Sequence, residues 1–320
     1  MTNIACIGAG YWGKNLIRNF HQLGVLRTIC DASLDVLKRF SEEYPEVAGV
    51  SDVEQVLTDQ SIEAVSIATP AETHYELIKR ALIAGKHVYV EKPLCLREDH
   101  AQECIALAES KGLTLMVGHL LWYHPMVLEI QRAVQAGELG LLRYIYSNRL
   151  NMGLLRSEEN VLWSFAPHDI SMILGIVGSE PISVSAQGAS HLNSKIADQA
   201  VGLMKFAGNV SAHVFVSWLN PFKEQKLVVV GELAMMVFDD TLPWEKKLAV
   251  YAHSVEWQGE RPVAVKAEPD YVQLPQSEPL KNECQHFVDS VSEKTTPRTD
   301  GNEGLQVLTV LNKLQHSMDA

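Results

Sequence analysis

The stretch Asn3-Ile4-Ala5-Cys6-Ile7-Gly8-Ala9-Gly10-Tyr11-Trp12-Gly13 decides the fold. An apolar strand runs into Gly-x-Gly-x-x-Gly, and residues 14–23 continue as a helix. Gly8 permits the tight turn, Gly10 lets a pyrophosphate approach the backbone, and Gly13 lets helix and strand pack closely. Phosphates then sit on a helix N-terminus, where free N–H groups point outward. Asp31 closes a second apolar run, 23 positions after Gly8, near the ~20 expected of an acid that holds a ribose 2′-hydroxyl. A carboxylate there repels a 2′-phosphate, so NAD is expected rather than NADP. Tyr11 and Trp12, inside the glycine loop, join Gly8, Gly10, Gly13 and Asp31 as expected cofactor contacts.

Working outward, residues 1–118 alternate short apolar runs with amphipathic stretches. Strands are predicted at 4–7, 26–30, 64–68, 87–90 and 114–117, and helices at 34–43, 53–57, 73–84 and 98–110. Strand and helix in alternation imply a parallel sheet covered on both faces. Gly85 and Gly112 stand where helix C-caps are expected.

After Gly118 the pattern changes. A helix is predicted over 122–136, a strand over 142–150, and a short helix over 167–177. Strand-like runs follow at 182–187, 200–206, 210–218, 226–230, 235–238 and 247–251. Consecutive strands with hairpin-like turns predict a mainly antiparallel sheet. Residues 252–279 read as polar loop with a strand or two, and helices are predicted at 280–292 and 304–317. The fold class is therefore α/β: a Rossmann doubly wound parallel sheet in residues 1–118, then an α/β domain with a large antiparallel sheet in residues 119–320. The C-terminal helix is expected to pack back on the first domain.

Composition narrows the function classes. The chain has 320 residues, room for two domains. It is 47% hydrophobic and 21% charged, ordinary for a soluble globular protein. A formal net charge of −12 argues against a general nucleic-acid binder. No apolar run is long enough to span a bilayer, and the N-terminal residues carry no signal-peptide pattern. The five cysteines form no C-x-x-C pair, so neither a metal site nor a disulfide framework is expected. Cys6 and Cys30 fall inside predicted strands and read as small buried hydrophobes. A reducing cytoplasm fits.

Three clusters carry chemistry, and the carboxyl ends of parallel strands are where open α/β sheets bind ligands. The first is Ala68-Thr69-Pro70 with His74, in which Thr69 is placed to cap the following helix near the cofactor. The second is Glu91-Lys92-Pro93, where a lysine at a strand mouth suits a pocket better than a core. Near a bound nicotinamide its pKa falls, so that it can relay a proton. The third is Ser164-Phe165-Ala166-Pro167-His168-Asp169. His168 is expected to begin a helix with Asp169 in its first turn, and histidine is the natural base for an alcohol proton. His119 and His124 flank the domain junction as further candidates.

Together the segments GAGYWG, ATPAETH, VYVEKPL and WSFAPHDISMI resemble the Gfo/Idh/MocA oxidoreductase family, and the tail EPLKNECQHFVDSV…PRTDGNEGLQVLTVL looks like the family's closing segment. The resemblance covers essentially the whole chain. It implies a sugar, inositol or sugar-nucleotide dehydrogenase whose C-terminal sheet builds a homodimer or homotetramer. By that analogy Lys92 matches the motif lysine near nicotinamide and substrate, and His168 the proton-transfer histidine. Gly8, Gly10, Gly13, Asp31, Thr69, Pro70, His74 and Glu91 match cofactor-side positions, with Ala68 beside them. Family members commonly carry an acid four residues before the histidine; here that position is Ser164. Asp169 or Lys92 can share the acid–base role.

GYWGKN, GHLLWYHP and WSFAPHDIS look most like bacterial sugar-nucleotide dehydrogenases, which oxidise the 3-hydroxyl of a UDP-N-acetylhexosamine or its uronic acid ahead of amination. An aminotransferase is the implied pathway partner. His119, Tyr123, Arg149, Ser164, His168, Asp169 and Lys92 are the expected substrate contacts. Arg143, Arg149, Arg156 and Lys195 are candidate anchors for a diphosphate or carboxylate. A pocket between the domains, closed by the 122–124 segment, is expected. Alternatives are a dehydrogenase of a free sugar, inositol or keto-sugar, and a non-catalytic NAD-binding regulator. No nucleic acid, membrane or metal partner is expected.

Overall fold

The computed structural model describes residues 2–320. By contact the chain forms two units. The first runs up to Tyr123 and resumes over Glu278–Leu308; the second comprises His124–Ser277 and Thr309–Ala320. Contact thus groups residues 278–308 with the first unit, a feature the expected division at 118/119 did not include.

The first unit opens with β1 (Ile4–Ile7), α1 (Gly13–Gln22), β2 (Leu26–Cys30), α2 (Leu34–Glu43), β3 (Ala48–Val50) and α3 (Val53–Thr58). It continues with β4 (Ala64–Ile67), α4 (His74–Ile83), β5 (His87–Glu91), α5 (Glu98–Lys111) and β6 (Leu115–Gly118). Six parallel strands form one sheet in the order β3-β2-β1-β4-β5-β6. β1, β4 and β6 are buried along their whole length, as a sheet covered on both faces requires. The edge strand β3 escaped the sequence reading. Its three residues, Ala-Gly-Val, are too short and too exposed to show an apolar run. The strand order turns around between β1 and β4, so the loops after them, at Gly8 and Ala68, flank the switch point.

The helix predicted over 122–136 is broken in two. A 3-10 turn at Leu120–Tyr123 is followed by α6 (Pro125–Gln135). Pro125 disfavours helical backbone in the residue before it. His124 is accordingly extended, at φ −76° and ψ 125°, and its Nδ1 accepts the Met126 N–H at 3.2 Å.

Next come β7 (Leu142–Leu150) and α7 (Val161–Val177). Contrary to expectation, α7 begins six residues before Pro167. Asn160 caps it, its side-chain oxygen accepting the N–H groups of Leu162 at 3.0 Å and Trp163 at 3.2 Å. Pro167 removes one interior N–H, a cost of roughly 3 kcal/mol. Burial of twelve of the seventeen residues of α7 outweighs it. His168 and Asp169 therefore sit mid-helix, not in a first turn.

The second unit continues with β8 (Ser183–Ala189), β9 (Gln199–Lys205), β10 (Ser211–Ser217), β11 (Glu224–Gly231), β12 (Met235–Asp239), β13 (Leu248–Tyr251), β14 (Ser254–Gln258), β15 (Arg261–Val265) and β16 (Asp270–Tyr271). Eight strands form a mixed sheet in the order β16-β13-β12-β11-β7-β10-β9-β8. It is antiparallel except where β7 and β10 run parallel. α7 packs against β7, β9 and β10. β14 and β15 form a separate hairpin turning at Gly259. α8 (Pro279–Glu293) belongs to the first unit and packs on α1. α9 (Gly301–Asp319) belongs to the first unit up to Leu308 and to the second from Thr309.

All five cysteines are free and buried. Among the described residues no helix is long and apolar enough to cross a membrane. Asn160→Ala removes the cap of α7 and is expected to cost about 1 kcal/mol. That lowers the melting midpoint by roughly 2–4 °C, readable by calorimetry.

Candidate active site

The glycine loop separates three roles. A Cβ on Gly8 lies 2.7 Å from the Ala68 carbonyl oxygen, and Gly8 has φ +92°. A Cβ on Gly13 lies 2.0 Å from the Gly8 carbonyl oxygen. Both glycines are demanded by the protein's own packing. Gly10 differs, since a Cβ there meets nothing within 4 Å. Its missing side chain leaves room for something outside the chain, the place a pyrophosphate takes.

The N-terminus of α1 has no side-chain cap and no acid in its first turn. Its partial positive charge is left for an anion. Tyr11, 77% exposed, and Trp12 stand at the rim. Asp31, at the end of β2, accepts the Ala9 N–H at 2.8 Å and the Ser33 N–H at 2.9 Å. The acid is thereby fixed against the glycine loop, where a ribose follows a pyrophosphate. These features fit NAD.

After β4, Thr69 does not cap the helix as expected. Its hydroxyl pairs with the Thr73 hydroxyl at 2.6 Å, and Thr73 donates to the Pro70 carbonyl at 2.7 Å. His74 is buried, with Nδ1 2.7 Å from the Pro93 carbonyl and Nε2 3.0 Å from that of Thr69. Burial holds its pKa below the usual histidine range, against the two carbonyls that favour the charged ring. His74 thus braces the 69–70 loop against the 92–93 loop, and both ring nitrogens face protein carbonyls rather than a ligand. Lys92, partly exposed, follows the end of β5, and the Lys92–Pro93 bond is cis. Glu91 accepts the Trp12 indole N–H at 2.5 Å, which joins the lysine motif to the glycine loop.

His119 and Tyr123 do not stand free in a pocket. His119 Nδ1 is 2.6 Å from Glu303 Oε2. The Tyr123 hydroxyl lies 3.1 Å from Thr299 Oγ1, and the Tyr123 carbonyl accepts from Asn282. His124 stacks on Trp244 and meets Phe238 at a tilt, and burial lowers its pKa to about 4. Trp122, Tyr123 and His124 are buried.

In the second unit, Ser164 and His168 lie four residues apart on α7, and so on one helix face. Asp169, 1% exposed, is bound by Arg149 from β7 through Nε at 2.7 Å and Nη2 at 3.0 Å. Ser147 donates to the same carboxylate at 2.6 Å. Asp169 and Arg149, expected as substrate contacts, spend their charges on each other and tie α7 to β7. Among the other nominated cations, Arg143 pairs with Glu232, and Arg156 with Glu158 and Glu159. Lys195 lies in an exposed loop. Tyr89, Glu283 and Glu303 are site neighbours that sequence reasoning missed. The closing segment was legible, but not the strands against which it docks.

Two family models match this chain. Residues 2–119 match the oxidoreductase family with an NAD-binding Rossmann fold, and residues 127–237 match the GFO/IDH/MocA C-terminal domain. The chain belongs to the Gfo/Idh/MocA oxidoreductase family. It is an NAD-dependent dehydrogenase of that type, which sets aside the non-catalytic alternative. A UDP-N-acetylglucosamine 3-dehydrogenase of Acidithiobacillus ferrooxidans is 26% identical, over 98% of this chain and 96% of that protein. An inositol 2-dehydrogenase of Rhizobium meliloti is 22% identical over 98% and 95%. The solved structure of UDP-N-acetylglucosamine 3-dehydrogenase from Acidithiobacillus ferrooxidans has the same fold, with a TM-score of 0.86 at 23% identity over 99% of this chain and 97% of that one.

Gly13→Ala forces backbone to move and is expected to cost about 1–3 kcal/mol in thermal stability. Gly10→Ala leaves the melting midpoint in place and weakens NADH binding measured by fluorescence. Asp169→Ala strands the Arg149 charge and is expected to cost roughly 3–5 kcal/mol. Arg156→Ala, at an exposed pair, shifts denaturant midpoints by less than about 1 kcal/mol equivalent.

Proposed function

We propose that this dehydrogenase oxidises the 3-hydroxyl of a UDP-N-acetylhexosamine, UDP-N-acetylglucosamine or its uronic acid, to the 3-keto sugar nucleotide. The observation that carries the reading is the end-to-end similarity to the Acidithiobacillus ferrooxidans enzyme. Gly8, Gly10, Tyr11, Trp12, Gly13, Asp31, Ala68, Thr69, Pro70, Glu91 and Lys92 hold the cofactor, with His74 bracing them from behind. NAD bound there supplies the hydride acceptor.

Two side chains are candidates to take the hydroxyl proton. Lys92 stands where a parallel strand opens into its loop, and His168 shares a face of α7 with Ser164. A serine offers the ring a hydrogen bond without a charge, so an imidazolium gains less than it does beside a carboxylate. Lys92 is therefore assigned the proton and His168 the orientation of the hydroxyl. The 3-keto product is a substrate for amination, so an aminotransferase is the proposed pathway partner. The proposed setting is a homodimer or homotetramer in the cytoplasm.

A second reading, oxidation of an inositol or free sugar, is favoured by the fate of three of the four nominated cations. Arg149 is neutralised by Asp169, and Arg143 and Arg156 by surface glutamates. A diphosphate needs cations that a neutral polyol does not.

NADH absorbance with NAD⁺ and a panel of UDP-hexosamines, UDP-uronic acids, inositols and free sugars decides between them. The first reading expects signal only with a UDP-N-acetylhexosamine or its uronic acid; signal with free polyols alone overturns it. Lys92→Ala is expected to lower kcat by about 10²–10⁴ with the fold intact. Unchanged turnover removes Lys92 from the chemistry.

A further inference from the structure

The chemistry above leaves one buried polar cluster unused. Tyr89 on β5 points its hydroxyl between two carboxyls. It is 3.0 Å from Glu283 Oε2 on α8 and 3.3 Å from Glu91 Oε1. Glu91 Oε1 also accepts the Trp12 indole N–H. Tyr89 and Glu283 are both 0% exposed, and Glu283 Oε1 is enclosed with no hydrogen-bond partner. Gly118 keeps the space open, because a Cβ there lies 2.7 Å from the Tyr89 hydroxyl and 3.0 Å from Glu91 Oε2.

Counting protons restricts the states. A tyrosine hydroxyl has one hydrogen, and two carboxylates flank it. With both ionised, one goes without its donor and two negative charges share an enclosed space, which is costly. One further proton resolves this. Glu283 donates to the Tyr89 oxygen, Tyr89 donates to Glu91, and Trp12 donates to the same carboxylate. The Glu283 and Tyr89 hydrogens then run toward Glu91, where the Trp12 indole N–H meets them from the glycine loop.

The surroundings agree. Burial, then the Glu91 charge, pushes Glu283 well above the usual carboxylate range, so it holds the proton. Burial pushes Glu91 up to about 7, with Trp12, Lys92 and Tyr89 pulling the other way. The remaining groups facing the cluster are Cys6 on β1, Cys284 on α8, Glu278 before α8, Glu303 on α9 and Tyr123, whose hydroxyl is held by Thr299 and stays neutral. Burial raises both thiols, which stay neutral. Glu303 is paired with His119. Glu278 is paired with Arg18.

We propose that Glu283, Tyr89 and Glu91 form a one-proton hydrogen-bond chain that sets the charge of Glu91 and, through Trp12, the grip of the glycine loop on NAD. Glu283 and Tyr89 are positioning residues in this scheme. The inference rests on the NAD site alone, not on the substrate reading.

Because Glu91 has a raised pKa, it is protonated below about 7 and ionised above. An ionised acceptor holds the indole more strongly than a neutral one. NADH binding, followed by fluorescence from pH 6 to 9, is expected to tighten roughly fivefold through a midpoint near neutrality. Tyr89→Phe removes the donor to Glu91 and is expected to move that midpoint up by about one pH unit. Glu283→Leu shifts it in the same direction, and Glu283→Gln, whose amide still donates to Tyr89, restores it. A residue with a merely structural role changes the Kd equally at every pH and leaves the midpoint in place. A pH-independent Kd in the wild type, or a wild-type midpoint in Tyr89→Phe, overturns the proposal. Tyr89→Phe is near-isosteric and decides the matter if Glu283→Leu does not fold. No sugar is used, so failure here leaves the substrate reading standing, and silence in the sugar panel leaves this one standing.

Discussion

The close approach of two backbone segments, the Gly8 carbonyl against Gly13, is the constraint on which the rest of the first unit depends. There is no room for a Cβ at Gly13, because it would sit 2.0 Å from that carbonyl oxygen. Only that contact lets α1 start directly over the end of β1. Once α1 starts there, its uncapped N-terminus faces the same opening as Gly10 and Asp31. Anion, ribose and nicotinamide groups then have a common address at the carboxyl ends of the strands.

The loops after β1, β4 and β5 are held to one another by side chains whose first task is mechanical. His74 links the carbonyls of Thr69 and Pro93, and Trp12 hangs on Glu91. In the second unit the Arg149–Asp169 pair performs a similar task for α7. A buried, bidentate ion pair is weak evidence of net stability, since desolvation offsets much of the attraction. It does fix the register of helix against strand, and with it the face on which His168 and Ser164 lie.

Much of this was legible in the sequence. The bounds of α2 and β7 follow from amphipathic and alternating patterns alone. The mixed sheet is mainly antiparallel, as the hairpin-like spacing implied. Readings failed where a local signal met a tertiary one. Pro167 reads as a helix start, yet Asn160 and a buried apolar surface carry the helix through it. The run at 122–136 reads as one helix, yet Pro125 sets the residue before it in extended backbone and the helix starts anew. Arg149 and Asp169 read as separate substrate contacts, because nothing in their spacing reveals that they are neighbours.

By itself the sequence determined the α/β class, the dinucleotide loop, the acid at Asp31 and the two motifs that carry Lys92 and His168. The class, the loop and the acid depend on backbone freedom and periodicity over a few residues, which local sequence specifies; the two motifs were legible through the family resemblance. Tertiary structure decided which charges are spent inside the protein and which polar groups are buried against one another. Tyr89 and Glu283 are 194 positions apart and meet at 3.0 Å. No local pattern encodes that distance. It is fixed by α8 packing beside α1, where burying an apolar face carries a carboxyl into the interior.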